Sequence, residues 1–211
     1  ASEAHFQQYQ GTVYSDHLAY DGFWNRYLEV FDEVLVVGRM SQVQRRPDWL
    51  VTSGPKVSFA PLPDFYGPWQ YLRRRRELVR RMQDAIARAD AQLLRVPGSI
   101  GSLLRRHLPA DRPFGTEVLG DPWDSLSRGA IDVLGRSFFR ATAALSLRTI
   151  CRRAAWTMYV TEHALQRRYP PAPGSFTCAC SDVVLEDRDF AAADVEARCQ
   201  RWRSGRAETI H

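Results

Sequence analysis

The chain is almost devoid of lysine. Lys56 is the sole example, so 28 of its 29 basic residues are arginine. It has no apolar run approaching the ~18–20 residues that span a bilayer, and its polar start, residues 1–10, has no apolar signal-peptide core. These absences give the expectation of a soluble, cytoplasmic protein that is not exported. The four cysteines, Cys151, Cys178, Cys180 and Cys199, include no C-x-x-C pair and no histidine at ligand spacing. That pattern gives no support for a zinc site and fits reduced thiols. There is no G-x-G-x-x-G or Walker sequence, no Ser/His/Asp order, no paired carboxylates, no internal repeat and no low-complexity segment.

What is present is ordinary in bulk. The 211 residues, 45% hydrophobic and 25% charged, suit one large domain or a domain with a short appendage. Disorder and coiled coil are excluded as descriptions of the whole chain. The net charge of +5 is carried by arginine, the side chain suited to bidentate phosphate or carboxylate contact. A GC-rich coding bias nevertheless accounts for most of that arginine.

Apolar runs and helical periodicity alternate along the chain. Strands are expected at Val34–Val37, Val57–Leu62, Ala91–Val96, Thr116–Leu119, Thr157–Val160 and Phe176–Cys180. A helix is expected from Gly67 to Asp90 with Leu72, Val79, Met82, Ile86 and Ala89 inward, and a second follows Ser99 as its cap. A long helix is expected from Ser125 to Ala154 with Leu126, Ala130, Leu134, Phe138, Ala141 and Leu145 on its core face. A short one covers Glu162–Tyr169, stopped by Pro170-Pro171. The charged tail carries a weak helical stretch over Ala191–Trp202. Strands separated by helices predict an α/β domain: a doubly wound, mainly parallel sheet covered on both faces.

In such a sheet, ligands bind beyond the carboxyl ends of the strands, where helix N-termini present free N–H groups. The loops to examine hold Arg39; Arg95 with Pro97-Gly98-Ser99-Ile100-Gly101; Gly120-Asp121-Pro122-Trp123-Asp124; and Thr161-Glu162-His163. The N-terminal loop adds Gly11, Tyr14, Ser15, Asp16 and His17. Each has a plainer reading. Gly98 and Gly101 suit a tight strand-to-helix turn, Asp121 a turn before Pro122, and Asp124 a helix cap. Trp123 suits core packing as well as stacking on a sugar ring. Glu162 suits an ordinary acidic first turn, and His17 and His107 the surface.

Four segments resemble, in order, the N-terminal half of group 1 glycosyltransferases of GT-B architecture. They are Phe31–Arg39, Leu94–Gly101, Glu117–Asp124, and Tyr159–Glu162 with Leu165–Pro170. The likeness covers roughly residues 5–185 and makes residues 1–185 a Rossmann-like acceptor-side domain, with 186–211 a charged linker. It implies transfer of a hexose from a nucleotide-sugar donor to an acceptor, with no required metal and no cofactor. Cell-surface polysaccharide or glycolipid synthesis is the setting that the family suggests. The family's donor signature belongs to a second domain, which would begin about where Ile210-His211 ends the chain. Carried over by position, Arg95 steadies the departing phosphate, and Asp121 holds acceptor hydroxyls or assists proton removal. Gly98, Ser99, Gly101, Trp123, Asp124, Thr161 and Glu162 line the cleft.

A competing expectation is a stand-alone binding domain whose arginine-rich helix, Tyr71–Arg88, meets an anionic partner. Peripheral contact with the inner face of the plasma membrane is compatible with both readings. Nucleic acid is disfavoured, because the arginines are scattered, 24 acidic residues accompany them and no recognition motif is present.

Overall fold

A computed structural model describes residues 1–65, 67–125 and 136–181, with positions 196, 197, 199, 200 and 203. The expected boundary at 185/186, and Leu126, Ala130 and Leu134, lie outside the described residues; of the expected tail helix, Ala191–Trp202, positions 196, 197, 199 and 200 are described and are helical.

The chain opens with a hairpin, β1 (His5–Tyr9) and β2 (Thr12–Ser15), turning at Gln10 and Gly11, both at positive φ. A π-helical turn, Tyr20–Trp24, runs into α1 (Asn25–Leu28). β3 (Val34–Gln42), the two-residue β4 (Leu50–Val51) and β5 (Val57–Pro63) follow. Then come α2 (Gly67–Ala87), β6 (Leu93–Val96), α3 (Ser99–His107) and β7 (Gly115–Val118). The described part closes with α4 (Pro122–Ser125), α5 (Arg136–Cys151), β8 (Trp156–Tyr159), α6 (Ala164–Arg168) and β9 (Phe176–Ala179).

Two sheets form, in the orders β4-β2-β1-β3-β5 and β6-β7-β8-β9. The second is wholly parallel. The first is parallel across β1, β3 and β5 and antiparallel where the hairpin and β4 extend it. The first two residues join them. Ser2 N–H donates to Val37 O, the Ala1 nitrogen donates to Leu93 O, and Arg95 N–H donates to Ala1 O. The last two bonds make a parallel bridge between Ala1 and Leu94. The strands thus read β5, β3, residues 1–2, β6, β7, β8, β9, and the order reverses beside Ala1–Ser2. This is the doubly wound parallel arrangement expected from the sequence.

Alternation along the strands serves two cores. On one face Val37, Leu62, Leu94, Val96, Val118 and Tyr159 meet α2, α3 and α5. On the other Phe6, Val36 and Val57 meet Phe23 and Trp24 of the π-helical turn. In α2, Met82 and Ile86 are buried and Val79 packs on the same core, as the periodicity predicts; Leu78 and Ala85 join them, while Leu72 near the head of the helix is exposed. The helix α5 is rotated from its expected phase. In α5, Leu147, Ile150 and Cys151 are buried, whereas Phe138 and Leu145 are exposed. The apolar residues of α5 fall on two stripes, and periodicity alone does not say which one the sheet takes.

Candidate functional site

The parallel strands β3, β6, β7 and β8 end at one rim, and helices α2 and α3 start there. Of the N-terminal candidates, Gly11 turns at the far tip of the β1–β2 hairpin. Thr12–Ser15 runs back as β2, pairing Ser15 with Phe6, so Asp16 comes level with His5, the register partner of Arg39, and Tyr14 and Ser15 are buried.

At the turn after β6, where the Val96–Pro97 peptide is cis, the N-terminus of α3 is already met by a carboxylate. Glu3, from the segment beside the reversal point, accepts the Ile100 N–H and, at 3.3 Å, the Ser99 hydroxyl. Arg39 Nη2 donates to Glu3 O at 2.6 Å and lies 3.3 Å from Glu3 Oε2. Ser99 is therefore not the cap. It is the first residue of α3 and serves Glu3, which supplies the acceptor that a helix start requires. Gly98 makes room for this: a Cβ there would lie 2.2 Å from Glu3 Cγ. Gly101 lets α3 approach β6, since its Cβ would stand 2.9 Å from Arg95 O.

Arg95 points away from this turn, to the opposite face. Its Nε lies 3.1 Å from Glu117 Oε2, and its guanidinium sits 4.7 Å from the Phe23 ring centre. The two residues are register partners on β6 and β7, so the pleat turns them to the same face. Tyr27 O–H donates to Glu117 Oε1 at 2.7 Å, and Arg26 donates to the Tyr27 oxygen at 2.7 Å. Burial, then the neighbouring Glu117 carboxylate, pushes the Tyr27 phenol well above its usual range. Glu117, Tyr27 and Arg26 were not among the sequence candidates. This group ties α1 to the sheet, and Arg95 is part of it.

The turn after β7 is the most densely wired part of the rim. Asp121 is buried. Its Oδ1 accepts the Trp123 N–H at 2.8 Å and the Tyr169 hydroxyl at 2.5 Å, and its Oδ2 accepts Arg168 Nη1. Burial alone would raise the Asp121 pKa. The bonds from Tyr169, the Trp123 N–H and Arg168 outweigh it and hold the carboxyl below its usual range. Arg168 and Tyr169 end the short helix α6, whose start is closed by Thr161: its Oγ1 accepts the Leu165 N–H at 3.0 Å. Thr161 thus shapes the backbone, while Glu162 is exposed at the same turn. Asp124 lies inside α4 rather than capping it. Its carboxylate is exposed and 3.8 Å from Arg168.

Beside Asp121 a cavity of about 480 Å³ is lined by Trp123, Ala141, Ala144, Leu145, Arg148, Arg168 and Tyr169. Arg140 sits 4.1 Å from the centre of the Trp123 ring. The stripe of α5 that does not face the core supplies the apolar wall, and two arginines supply the charge. Such a surface accepts a molecule with an anionic group and an apolar or sugar-ring face. Arg148, Arg168 and Tyr169 were not singled out from sequence. A larger cavity, about 650 Å³, opens between the starts of β3 and β6. It lies at the amino ends of the strands, away from the rim. Among the described residues no cluster of three or more His, Cys, Asp or Glu could hold a metal.

Comparison with known proteins gives a relative by sequence. The chain is 26% identical over 168 residues to Protein CapJ of Staphylococcus aureus, an alignment covering 78% of this chain and 41% of CapJ. The chain therefore spans about two fifths of the length of that relative. No family model and no solved structure matches. At that identity, the chain is similar to CapJ across most of its described α/β domain.

Proposed function

We propose that this chain is the acceptor-side half of a GT-B glycosyltransferase that moves a hexose from a nucleotide-sugar donor to an acceptor in polysaccharide or glycolipid synthesis. The observation that carries this reading is the Asp121–Tyr169–Arg168 group, at a strand-end turn beside a cavity with an exposed tryptophan. The ordered likeness of four segments to group 1 enzymes and the similarity to CapJ support it.

In this reading the acceptor lies in the Trp123–Arg168 cavity, with Trp123 against a sugar ring. A carboxyl held below its usual range is a weak proton acceptor at neutral pH. Asp121 therefore acts by position: it fixes Arg168 and Tyr169, leaving Arg168 and Arg148 to face the acceptor's anionic group. Gly98, Ser99 and Gly101 shape the neighbouring wall. Arg95 sets the sheet beneath it, and Thr161 sets the α6 turn. Glu162 and Asp124 stand at the margin. A second domain would hold the nucleotide sugar and supply the contacts to its phosphates.

The test is transfer of labelled sugar from UDP- and GDP-sugars by the intact protein. Asp121→Asn and Arg168→Ala should each lower kcat/KM for the acceptor by about 10²-fold or more, with the KM for the donor little changed. Unchanged turnover in both would overturn the assignment. So would tight binding of UDP or GDP to this chain alone, which would favour an unrelated nucleotide-binding enzyme.

A further inference from the structure

Six positions of α2 point outward along one line, 69, 73, 76, 80, 83 and 87, at steps of three and four residues, with 72 beside them at the head of the helix. The line carries Trp69, Arg73, Arg76, Arg80, Gln83 and Ala87, and Leu72 flanks it. Trp69 is 78% and Leu72 59% exposed, in the first turns of a helix whose other face is buried against the sheet. Arg74 and Arg75 flank the line and are exposed as well. Over its whole length α2 has six arginines against Glu77 and Asp84. Glu77 is taken by Arg81, at 2.6 Å, and Arg81 also donates to Pro61 O. Among the described residues no carboxylate pairs with Arg73, Arg74, Arg75, Arg76 or Arg80.

A solvated helix face explains the arginines but not a tryptophan and a leucine set outward at the head of the same face. A face of apolar tip followed by fixed positive charge is complementary to one common surface: anionic headgroups over a shallow apolar layer. Tryptophan lodges at that boundary, and the arginine stems lie along it with the guanidinium at phosphate level. We propose that the outward stripe of α2 docks this protein on an anionic lipid bilayer. No described helix is long and apolar enough to cross a membrane, so the contact is superficial. α2 starts where β5 ends, so Trp69 and Leu72 sit at the rim that bears the Asp121 turn. Phe138 and Phe139, also exposed, begin the described part of α5 there. A second copy of the same face is a poor partner, because the like charges would oppose one another. The inference rests on this surface alone and stands or falls separately from the sugar-transfer reading.

The test is co-sedimentation of the intact protein with phosphatidylcholine vesicles, with and without phosphatidylglycerol, alongside retention of a DNA duplex at the same ionic strength. Binding is expected only with phosphatidylglycerol and should weaken with salt. Combined Arg73→Ala, Arg76→Ala and Arg80→Ala should reduce it by about tenfold or more. Combined Trp69→Ser and Leu72→Ser should reduce it by about threefold or more at unchanged charge. Brominated phosphatidylglycerol should quench tryptophan emission in the parent chain, and Trp69→Phe should lose that quenching. All these side chains lie on or beside the outward stripe, and circular dichroism verifies that each variant is folded. Absence of binding to anionic vesicles, parent-like binding by either combined variant, quenching unaltered by Trp69→Phe, or tighter retention of DNA would each overturn the proposal.

Discussion

The Glu3 carboxylate closes the N-terminus of α3 by accepting the Ile100 N–H, and Gly98 is the residue that lets it reach there. The cap comes from the segment before β1, ninety-seven positions away in sequence. An anion at a helix start is worth about 1–2 kcal/mol when it also satisfies N–H groups, and Arg39 holds it in place.

Glu3→Ala should therefore destabilise the fold by about 1–2 kcal/mol. Gly98→Ala should cost a similar amount through the same group, because the new methyl would displace the Glu3 side chain rather than any backbone. Combined, the two substitutions should cost less than their sum by about 1 kcal/mol, since the second has nothing left to displace. Urea denaturation of the four proteins reads this directly. Full additivity would show that Gly98 is not there for Glu3.

A second prediction concerns the buried pair Arg95–Glu117. Removing one partner takes from the other buried charge its nearest counterpart, leaving Glu117 with Arg26 at 3.8 Å, so Glu117→Gln and Arg95→Met should each destabilise, by at most about 3–5 kcal/mol. Replacing both, with Arg95→Met and Glu117→Leu, should recover a large part of that loss, because two apolar side chains suit the space beneath Phe23 and Tyr27. The midpoint of denaturant unfolding measures it. A double variant no more stable than the singles would show that the charges themselves hold α1 to the sheet.

The parallel half of the fold was legible because β6, β7, β8 and β9 are short apolar runs punctuated by Pro and Gly. The first strand was not, because Ala1–Tyr9 is polar and its pairing with β3 and β6 is a property of the folded chain. Asp121 could be found from its place at a strand end. Its partners could not, since nothing local distinguishes Arg168–Tyr169 from the end of any short helix. The surroundings of Arg95 were hidden for a physical reason. The pleat decides which face a residue takes, and its partner Glu117 lies on another strand, visible only once the register is fixed. The phase of α5 was ambiguous for the same kind of reason: its apolar residues fall on two stripes, and only the sheet chooses between them.

Asp121 supplies a pH signature. Its folded pKa is lowered, so above the unfolded carboxylate value, about 3.9, the native state gains stability from it. That contribution is lost as pH falls through the lower folded value, where both states are protonated. Asp121→Asn should therefore remove a stabilising increment at neutral pH and leave a smaller difference from the parent in strong acid. Tyr169→Phe should shift the Asp121 titration upward, because the Tyr169 hydroxyl is the foremost of the bonds that lower it. Carboxyl chemical shifts followed against pH check both. A titration unmoved by Tyr169→Phe would mean that Arg168 and the Trp123 N–H suffice.

His5 gives the opposite kind of probe, a cation disfavoured by folding. Its imidazole is 3.3 Å from Asp64 Oδ1 and stands near Arg39. Burial first, and then the Arg39 charge, lower its pKa, while Asp64, Glu3 and Asp16 pull the other way. Because the folded value lies below the unfolded 6.5, the unfolded chain binds more protons between the two. Stability from this group is complete above 6.5 and declines as pH falls through the folded value. Arg39→Met should bring the His5 titration, followed by its imidazole proton resonance, back toward 6.5, and Asp64→Asn should drive it further down. The two shifts have opposite signs because the histidine lies between a cation and a carboxylate. Movement in the same direction in both variants would show that Arg39 and Asp64 reach His5 only through a shared change in burial.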